Sequence, residues 1–351
     1  MLVKTGVFFG WAGLSYALLL LWATSWWTAV PLAASLGLAL AGIGFCVMHD
    51  GGHAAYSNSP RLNRLAALSL DAMGASSFVW NFKHNVLHHT YTNIEGADDD
   101  IEFEPFLRLT PDQPRRWFHR FQAFYWPLLL CFLPTKWILF DDFRDILRGE
   151  IAGQALPKPP RRELALVLLG KLSFLTYGIF LPLAIVPWGP FLLGYAIVTS
   201  VWGVTLGTVF QLAHAVDGAA FYAPEPGDPV ELPWAEHQLA TTVDFARSNR
   251  PLTWYVGGLN HQLEHHLFPR VGHQHYPALA TIVRTVCAGH GITPLDNPTL
   301  LQALGAHLRH LARLGRSDSP QASPPGPFDS TGPDHSGRAQ TSAAPMARPS
   351  L

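Results

Sequence analysis

The chain has 351 residues, of which 48% are hydrophobic and only 14% are charged, and its formal net charge is −1. Soluble proteins average about 25% charged residues, so this composition indicates a membrane protein. The near-zero charge excludes the basic field that draws a protein to nucleic acid. The three cysteines lie far apart, which excludes a disulfide framework or a zinc ribbon. Arginine outnumbers lysine, as in GC-rich bacterial genomes, so we expect a bacterial cytoplasmic membrane.

The first long segment without a charged residue runs from residue 5 to residue 48. A membrane span needs about 20 apolar residues, so this segment is long enough for two helices and a tight turn. The turn is expected near Ser25–Thr28, where two tryptophans suit the membrane interface. We therefore predict a hairpin of spans over roughly 6–24 and 29–48. A cleaved signal peptide is disfavoured because the apolar run continues into the second span.

Two mixed segments follow before the next apolar block. Residues 60–80 combine leucines with arginines, which is typical of a helix in the membrane interface or of a short re-entrant piece. Residues 115–148 are rich in aromatic side chains and are interrupted by Pro127 and Pro134. We predict an interfacial helix pair there, because one extra span would place the later histidines on the opposite membrane face from the earlier ones.

A second hairpin is predicted over roughly 163–186 and 191–213, where Lys171 is the only charge between Glu163 and His214. The tips of both hairpins lack charge, whereas arginines flank the other ends. The positive-inside rule therefore predicts that both termini and the middle segment are cytoplasmic. Residues 1–316 are expected to form one membrane domain. Residues 317–351, rich in Ser, Pro, Gly and Ala, are expected to be a disordered tail.

Histidines cluster just beyond the predicted spans, and imidazole is the commonest metal ligand in proteins. His49 and His53 are four residues apart at the end of the second span, so their rings share one helix face. His84 and His88 repeat that spacing, and His89 points about 100° away, toward a second metal. Asp98 follows them and is a candidate to orient an imidazole or to bind metal.

The remaining candidates come later in the chain. His214 ends the fourth predicted span, and His265 and His266 follow Gln262 in the sequence QLEHH. His261 lies four residues before His265, so either His261 or Gln262 can complete this third set. The site is nitrogen-rich, lacks thiolates and has too many histidines for one tetrahedral zinc. These clusters therefore favour two metal ions at one depth of the membrane.

The motifs HDGGH, HNVLHH and QLEHH, in this order and spacing, resemble the three histidine boxes of the membrane fatty-acid desaturase family. The resemblance covers about residues 35–290, and it is closest to the front-end, linoleoyl-CoA-desaturase-like branch, whose third box begins with Gln. It implies a mushroom-shaped, all-α integral membrane fold with four transmembrane helices in two hairpins. A cytoplasmic, histidine-rich diiron cap with interfacial helices would cover them.

By position, the resemblance assigns nine metal ligands, which are His49, His53, His84, His88, His89, His214, Gln262, His265 and His266. Two nonheme irons and dioxygen are the expected cofactor and co-substrate. The substrate is expected to be a fatty-acyl chain linked to CoA, a carrier protein or a lipid. The chain has no cytochrome b5 motif (HPGG), so we expect electrons from a separate ferredoxin or cytochrome b5.

Two other functions stay open from the sequence. The same diiron chemistry can end in hydroxylation or ketone formation at a C–H bond instead of a double bond. A membrane metal-binding or transport protein is the third interpretation, and it predicts ionisable residues inside the spans. The hairpins here are almost free of such residues, which favours acyl-chain desaturation.

Overall fold

The computed structural model describes residues 1–224 and 232–316. Most of these residues are helical, and the strands form two short ribbons. One ribbon is antiparallel and pairs Glu150–Ile151 with Gln154–Ala155, and the other is parallel and pairs Asp244–Phe245 with Asp296–Asn297. The predicted tail, residues 317–351, lies outside the described residues.

Four helices in the described part of the chain are long and apolar enough to cross a membrane, which confirms the predicted all-α membrane fold. We name them the first to fourth spans, which are Leu2–Leu21, Trp26–Gly52, Arg161–Ile185 and Trp188–His214. The second and fourth spans have 27 residues each. At 1.5 Å per residue that is about 40 Å, which exceeds the roughly 30 Å apolar core of a bilayer. Their last turns therefore extend beyond the bilayer core and carry histidines with them.

The spans pack closely where small residues face each other, as is usual inside membranes. A Cβ on Gly37 of the second span would lie 2.7 Å from the carbonyl oxygen of Val198 in the fourth span. The first span joins the second through Phe8, which packs over Gly42, and through a 2.7 Å hydrogen bond from Trp11 Nε1 to Ser35 Oγ. The two hairpins thus form one bundle.

Many short helical segments build the cap at the end of the bundle. Their bounds are Pro60–Ala67, Ser69–Ala72, Ser77–Trp80, Asn81–His88, His89–Tyr91, Asp99–Ile101, Trp117–Phe121, Gln122–Leu130, Leu133–Lys136, Trp137–Asp141, Asp142–Arg148, Trp234–Thr241, Arg250–Tyr255, Gln262–Leu267, His273–His275, Tyr276–Gly289 and Leu300–Arg316. Asn81–His88 is π-helical, as are Gly44–Met48 in the second span and Leu175–Phe180 in the third. π-Helical turns are rare and are frequently found at functional sites.

The aromatic segment after Arg116 forms a bent helix pair, Trp117–Leu130 and Leu133–Arg148, with an angle of 63° between its halves. Neither half alone is long enough to span the membrane. Leu130 packs against Gly203 and Gly207 of the fourth span, while Phe124 and Phe132 are exposed. The bent pair is long and apolar enough to cross a membrane only when its halves are taken together, so its placement in the membrane interface stays a prediction.

Candidate metal centre

Four segments of the chain meet at one point where the spans end in the cap. The second span contributes His49 and ends beside His53, and the fourth span contributes His214 as its last residue. The continuous helical run from Ser77 to Tyr91 carries the second histidine cluster, and the short helix Gln262–Leu267 carries the third. These four segments therefore bring all nine ligands assigned by position into one region.

The first group of ligands contains four histidines whose nitrogen atoms lie within 4.8 Å of one another, namely His49, His53, His84 and His265. The ring centres of His49 and His265 are 4.5 Å apart, and those of His53 and His84 are 5.1 Å apart. All four side chains are buried. This spacing is small enough for one metal ion to contact all four nitrogens.

The second group contains His88, His214 and His266, again with nitrogens within 4.8 Å. Gln262 joins it, because its Nε2 atom lies 3.0 Å from Nε2 of His214. His89 lies between the two groups, and its ring centre is 4.7 Å from that of His53 and 4.4 Å from that of His266. The nitrogen atoms thus divide into two neighbouring sets, as a two-metal site requires.

The hydrogen bonds of these rings show which nitrogen faces inward. The outer Nδ1 atom of His88 is 3.0 Å from Asp98 Oδ2, that of His265 is 3.1 Å from the Tyr276 hydroxyl, and that of His266 is 2.7 Å from Gln238 Oε1. The Nε2 atoms of all three rings are buried without a hydrogen-bond partner, as are those of His53, His84 and His89. Buried imidazole nitrogens without partners are costly unless a metal takes them. The donor set therefore fits metal ions.

Burial lowers the pKa values of His53, His84, His89, His265 and His266 well below 6.5. These rings are consequently neutral at pH 7, the form that binds metal. His88 differs. Burial lowers its pKa as well, but the adjacent Asp98 outweighs that effect and the net shift is upward. An Asp–His pair of this kind holds the ring in one orientation and strengthens it as a ligand.

Local chemistry explains why these segments adopt their positions. A Cβ on Gly51 would lie 2.4 Å from the backbone nitrogen of Ala67, and one on Gly52 would lie 2.1 Å from the Trp80 ring. Only glycine allows the approach that brings His49 and His53 against the second cluster.

Two buried carboxylates hold the backbone near the histidines. Asp98 accepts a hydrogen bond from the backbone of Asn93, and Asp244 accepts one from the backbone of Leu263. These carboxylates fix the loops that carry the histidines.

The two additional candidates are placed differently from the nine. Asp98 contacts only the outer nitrogen of His88 among the predicted ligands and supports that ring. His261 is absent from the metal-binding groups of the described residues, and its Nδ1 lies 3.8 Å from Glu264 Oε2. Burial lowers the pKa of His261 to about 4 and raises that of Glu264 to about 8. His261 thus faces an acidic group behind the helix, while Gln262 faces His214.

Comparisons with known proteins agree with this geometry. A family model described as fatty acid desaturase matches residues 24–296. The chain belongs to the fatty acid desaturase family. A sn-1 linoleoyl-lipid 6-desaturase of Synechocystis is 38% identical over 287 residues, which covers 80% of this chain and 79% of that protein. A sn-1 linoleoyl-lipid 6-desaturase of Arthrospira platensis is 35% identical, with 86% and 85% covered. An acyl-lipid (8-3)-desaturase of Physcomitrium patens is 36% identical, with 91% and 67% covered.

These matches confirm the suspected branch and identify the protein as an oxidoreductase that introduces double bonds into acyl chains. Several residues around the desaturase centre were not among the predicted candidates. Gln238 and Tyr276 hold His266 and His265, and Asp100 lies close enough to His84 and His88 to form a further group. Asp100 was detectable as part of the acidic run after the second box. Gln238 and Tyr276 belong to no motif.

Other polar residues near the boxes have structural roles. His237 donates from Nε2 to the backbone carbonyl oxygen of Thr92 at 2.8 Å. Asn260 donates to Thr253, and His307 and His310 lie against the carbonyl oxygens of Ala215 and Leu109. These contacts indicate that His237, His307 and His310 serve in packing and not in the two groups of candidate ligands.

Proposed function

We propose that this desaturase is an oxygen-dependent diiron enzyme that acts on acyl chains of membrane lipids. The observation that carries the proposal is the pair of neighbouring sets of buried imidazoles with unpartnered inward nitrogens. The relatives with high coverage of both chains act on linoleoyl groups of lipids, by their names. We therefore favour a lipid-linked substrate over CoA or a carrier protein, with the new double bond at carbon 6 as in those relatives.

The first group and the second group would each hold one iron, with His89 between them and Gln262 completing the second. When bound, the irons supply the oxidising chemistry that uses dioxygen to remove hydrogen from an unactivated methylene. The protein orients the rings through Asp98, Gln238 and Tyr276. His88, His214, His265 and His266 have 0% exposure, so bulk water is kept from the centre. Dryness limits side reactions of a strong oxidant.

The electron balance requires a separate donor. Reducing dioxygen to two waters takes four electrons, and removing two hydrogens from the acyl chain supplies two of them. We propose that a ferredoxin or cytochrome b5 supplies the other two on the cytoplasmic side, where the positive-inside rule places the cap and both termini. Arg116, Arg148, Arg161 and Arg162 are exposed and support docking of an acidic protein. Arg144 contributes less, because Asp141 and Asp145 pair with it.

The experiment is expression in a host that contains linoleoyl lipids, followed by gas chromatography–mass spectrometry of the fatty acids with double bonds located by derivatisation. We expect a new double bond in lipid-linked chains, and none with a His265→Ala variant that inserts normally. A hydroxylated product would favour the hydroxylase alternative. Absence of any new product from a well-expressed, iron-loaded protein supplied with a donor would overturn the proposal.

Orientation and the tail are tested in the same host. A reporter that works only in the cytoplasm is fused after Arg316, in place of residues 317–351. We expect an active reporter and a normal product profile, because the core of the described domain ends with the helix Leu300–Arg316. A silent reporter at normal expression contradicts the orientation, and loss of product contradicts the dispensable tail.

A further inference from the structure

A cavity of about 330 Å³ lies inside the membrane bundle, away from the histidines. All four spans line it, with Gly13, Leu36, Tyr177 and Gly194 as one residue from each. Residues at the hairpin tips, among them Trp26 and Pro190, contribute to its wall. No histidine is among the described residues that line it. The cavity is therefore distinct from the metal centre.

The depth of the cavity follows from positions along the spans. The lining residue nearest the metal centre on the second span is Leu40, nine residues before His49, or roughly 13 Å along a helix. On the fourth span it is Trp202, twelve residues before His214, or roughly 18 Å. The interval is filled by side chains of the buried core, including Phe45. The cavity thus extends from the hairpin tips to Met73, which follows the short cap helix Ser69–Ala72 and also lines the wall.

The chemistry of the wall restricts what can bind. Most of the lining is aliphatic or aromatic, and the hydroxyl groups that line the cavity are already hydrogen-bonded within the protein. Tyr16 donates to the carbonyl of Tyr177, Tyr177 donates to the carbonyl of Ala72, Thr199 donates to the carbonyl of Tyr195, and the Tyr195 hydroxyl lies 3.3 Å from Thr135 Oγ1. A ligand would therefore find a mainly apolar surface with no free hydroxyl, and Nε1 of Trp202 is a buried donor on the wall without a partner.

We propose that this cavity binds one acyl chain of a phospholipid from the leaflet on the hairpin-tip side, at a site separate from the one that desaturates. A leaflet contributes about half of the roughly 30 Å apolar core, which matches a cavity that runs from the hairpin tips toward mid-bilayer. The head group remains at the tips, beside the interfacial tryptophan Trp26. The bound chain fills space between the two hairpins and holds them together.

Two glycines allow the cavity to be filled without disturbing its wall. A Cβ added to Gly13 or to Gly194 would have no atom within 4 Å, so leucine at either position extends into the cavity. Gly6 in the first span and Gly189 in the fourth span are equally open but do not line the cavity. Gly6→Leu and Gly189→Leu are therefore matched controls for Gly13→Leu and Gly194→Leu.

The full-length protein is reconstituted in phosphatidylcholine nanodiscs, extracted in mild detergent, washed and examined by native mass spectrometry. We expect the wild type, Gly6→Leu and Gly189→Leu to retain one phosphatidylcholine per chain, and Gly13→Leu and Gly194→Leu to lose it. Adding phosphatidylcholine to the washed protein should raise the melting temperature of the first three proteins and not of the last two, because a ligand of the folded state stabilises it. The two filling variants are on different helices, so if one variant misfolds, the other still tests the proposal.

Three results would overturn the proposal. The first is that the wild type retains no phospholipid, and the second is that all five proteins retain it equally. The third is that the filling variants, but not the controls, shift the product profile toward shorter acyl chains, which would make the cavity part of the substrate site. An unchanged product profile together with loss of the retained lipid supports a separate site, whatever the double-bond position turns out to be.

Discussion

Asp98→Asn is the substitution that best tests whether groups outside the ligand set hold the metal centre. Asp98 is fully buried and accepts hydrogen bonds from three donors, which are Nδ1 of His88 at 3.0 Å, the backbone nitrogen of Asn93 at 3.0 Å and that of Asp100 at 3.1 Å. Asparagine has the same shape but replaces one accepting oxygen with an N–H donor. One of the three donors must then face another donor.

The size of the effect follows from the bonds that are lost. A hydrogen bond to a charged group contributes about 1.5–3 kcal/mol, and each 1.4 kcal/mol is a factor of ten in an equilibrium constant. If the His88 bond is the one disrupted, iron should bind about 10- to 100-fold more weakly, the range typical of groups that support a metal-binding histidine. The fold should persist, because the hydrogen bonds of the Asp98 side chain go to His88, Asn93 and Asp100 and not to residues of the spans.

Iron affinity is measured by competition with a chelator on the purified protein, with product formation measured alongside. Asp99→Asn is the matched control, since Asp99 makes a 2.7 Å ion pair with Lys83 and contacts none of the predicted ligands. We expect Asp99→Asn to bind iron as the wild type does. Wild-type iron affinity in Asp98→Asn would refute the reasoning, and equal losses in both variants would show only that the loop had been disturbed.

The remaining predictions concern single features of the site and fold. Gln262→Ala should lower iron content and activity more than His261→Ala does, because Gln262 faces His214 whereas His261 faces Glu264; the reverse order in metal analysis would favour His261 as the ligand. Gly51→Ala should destabilise the protein by about 1–3 kcal/mol, since its Cβ would meet the Ala67 backbone, while Gly6→Ala should not; thermal unfolding in detergent compares them. The metal-free protein should lose stability as the pH falls below about 6.5. Burial lowers the pKa values of five of the clustered histidines, so only the unfolded chain takes up their protons in that range, and a melting temperature that is flat or rises on acidification would contradict this. Turnover should need an added electron donor and should weaken as salt rises, because charge attraction assists docking; turnover with substrate and oxygen alone would disprove the need.

Much of the fold is predictable from sequence because the exclusion of charge from a bilayer is a local property. The charge-free block of residues 5–48 has room for two helices, and the structure contains two. The exact ends are harder to predict, since the helix ending at Gly52 continues past the bilayer. The last apolar residue of the block does not show where the span stops, because the helix continues through His49 and Asp50, which are polar and yet buried by packing against the rest of the protein.

The candidate site, like the fold, is predictable where it depends on residues close together in the sequence, and it is not predictable where it depends on residues far apart in the sequence. His49 and His53, or His84 and His88, are detectable because four-residue spacing places two rings on one helix face. The acceptors that orient the rings come from elsewhere: Gln238 lies 28 residues before His266, and Tyr276 lies 11 residues after His265. No spacing rule links such pairs, since tertiary folding alone brings them together.

The choice between Gln262 and His261 shows the limit of residue type as a guide. Histidine is the commoner metal ligand, so type alone favours His261. The contacts of the two side chains favour Gln262 instead, because Gln262 lies 3.0 Å from His214 whereas His261 lies beside Glu264. Nδ1 of His261 lies 3.8 Å from Glu264 Oε2, and His261 lines a surface pocket together with Arg247 and Arg284. Gln262 faces the imidazoles. When its amide group is turned over, the oxygen takes the place of the nitrogen beside His214 and can bind a metal. In that arrangement the second group would offer a metal three nitrogens and one neutral oxygen, whereas the first group would offer four nitrogens.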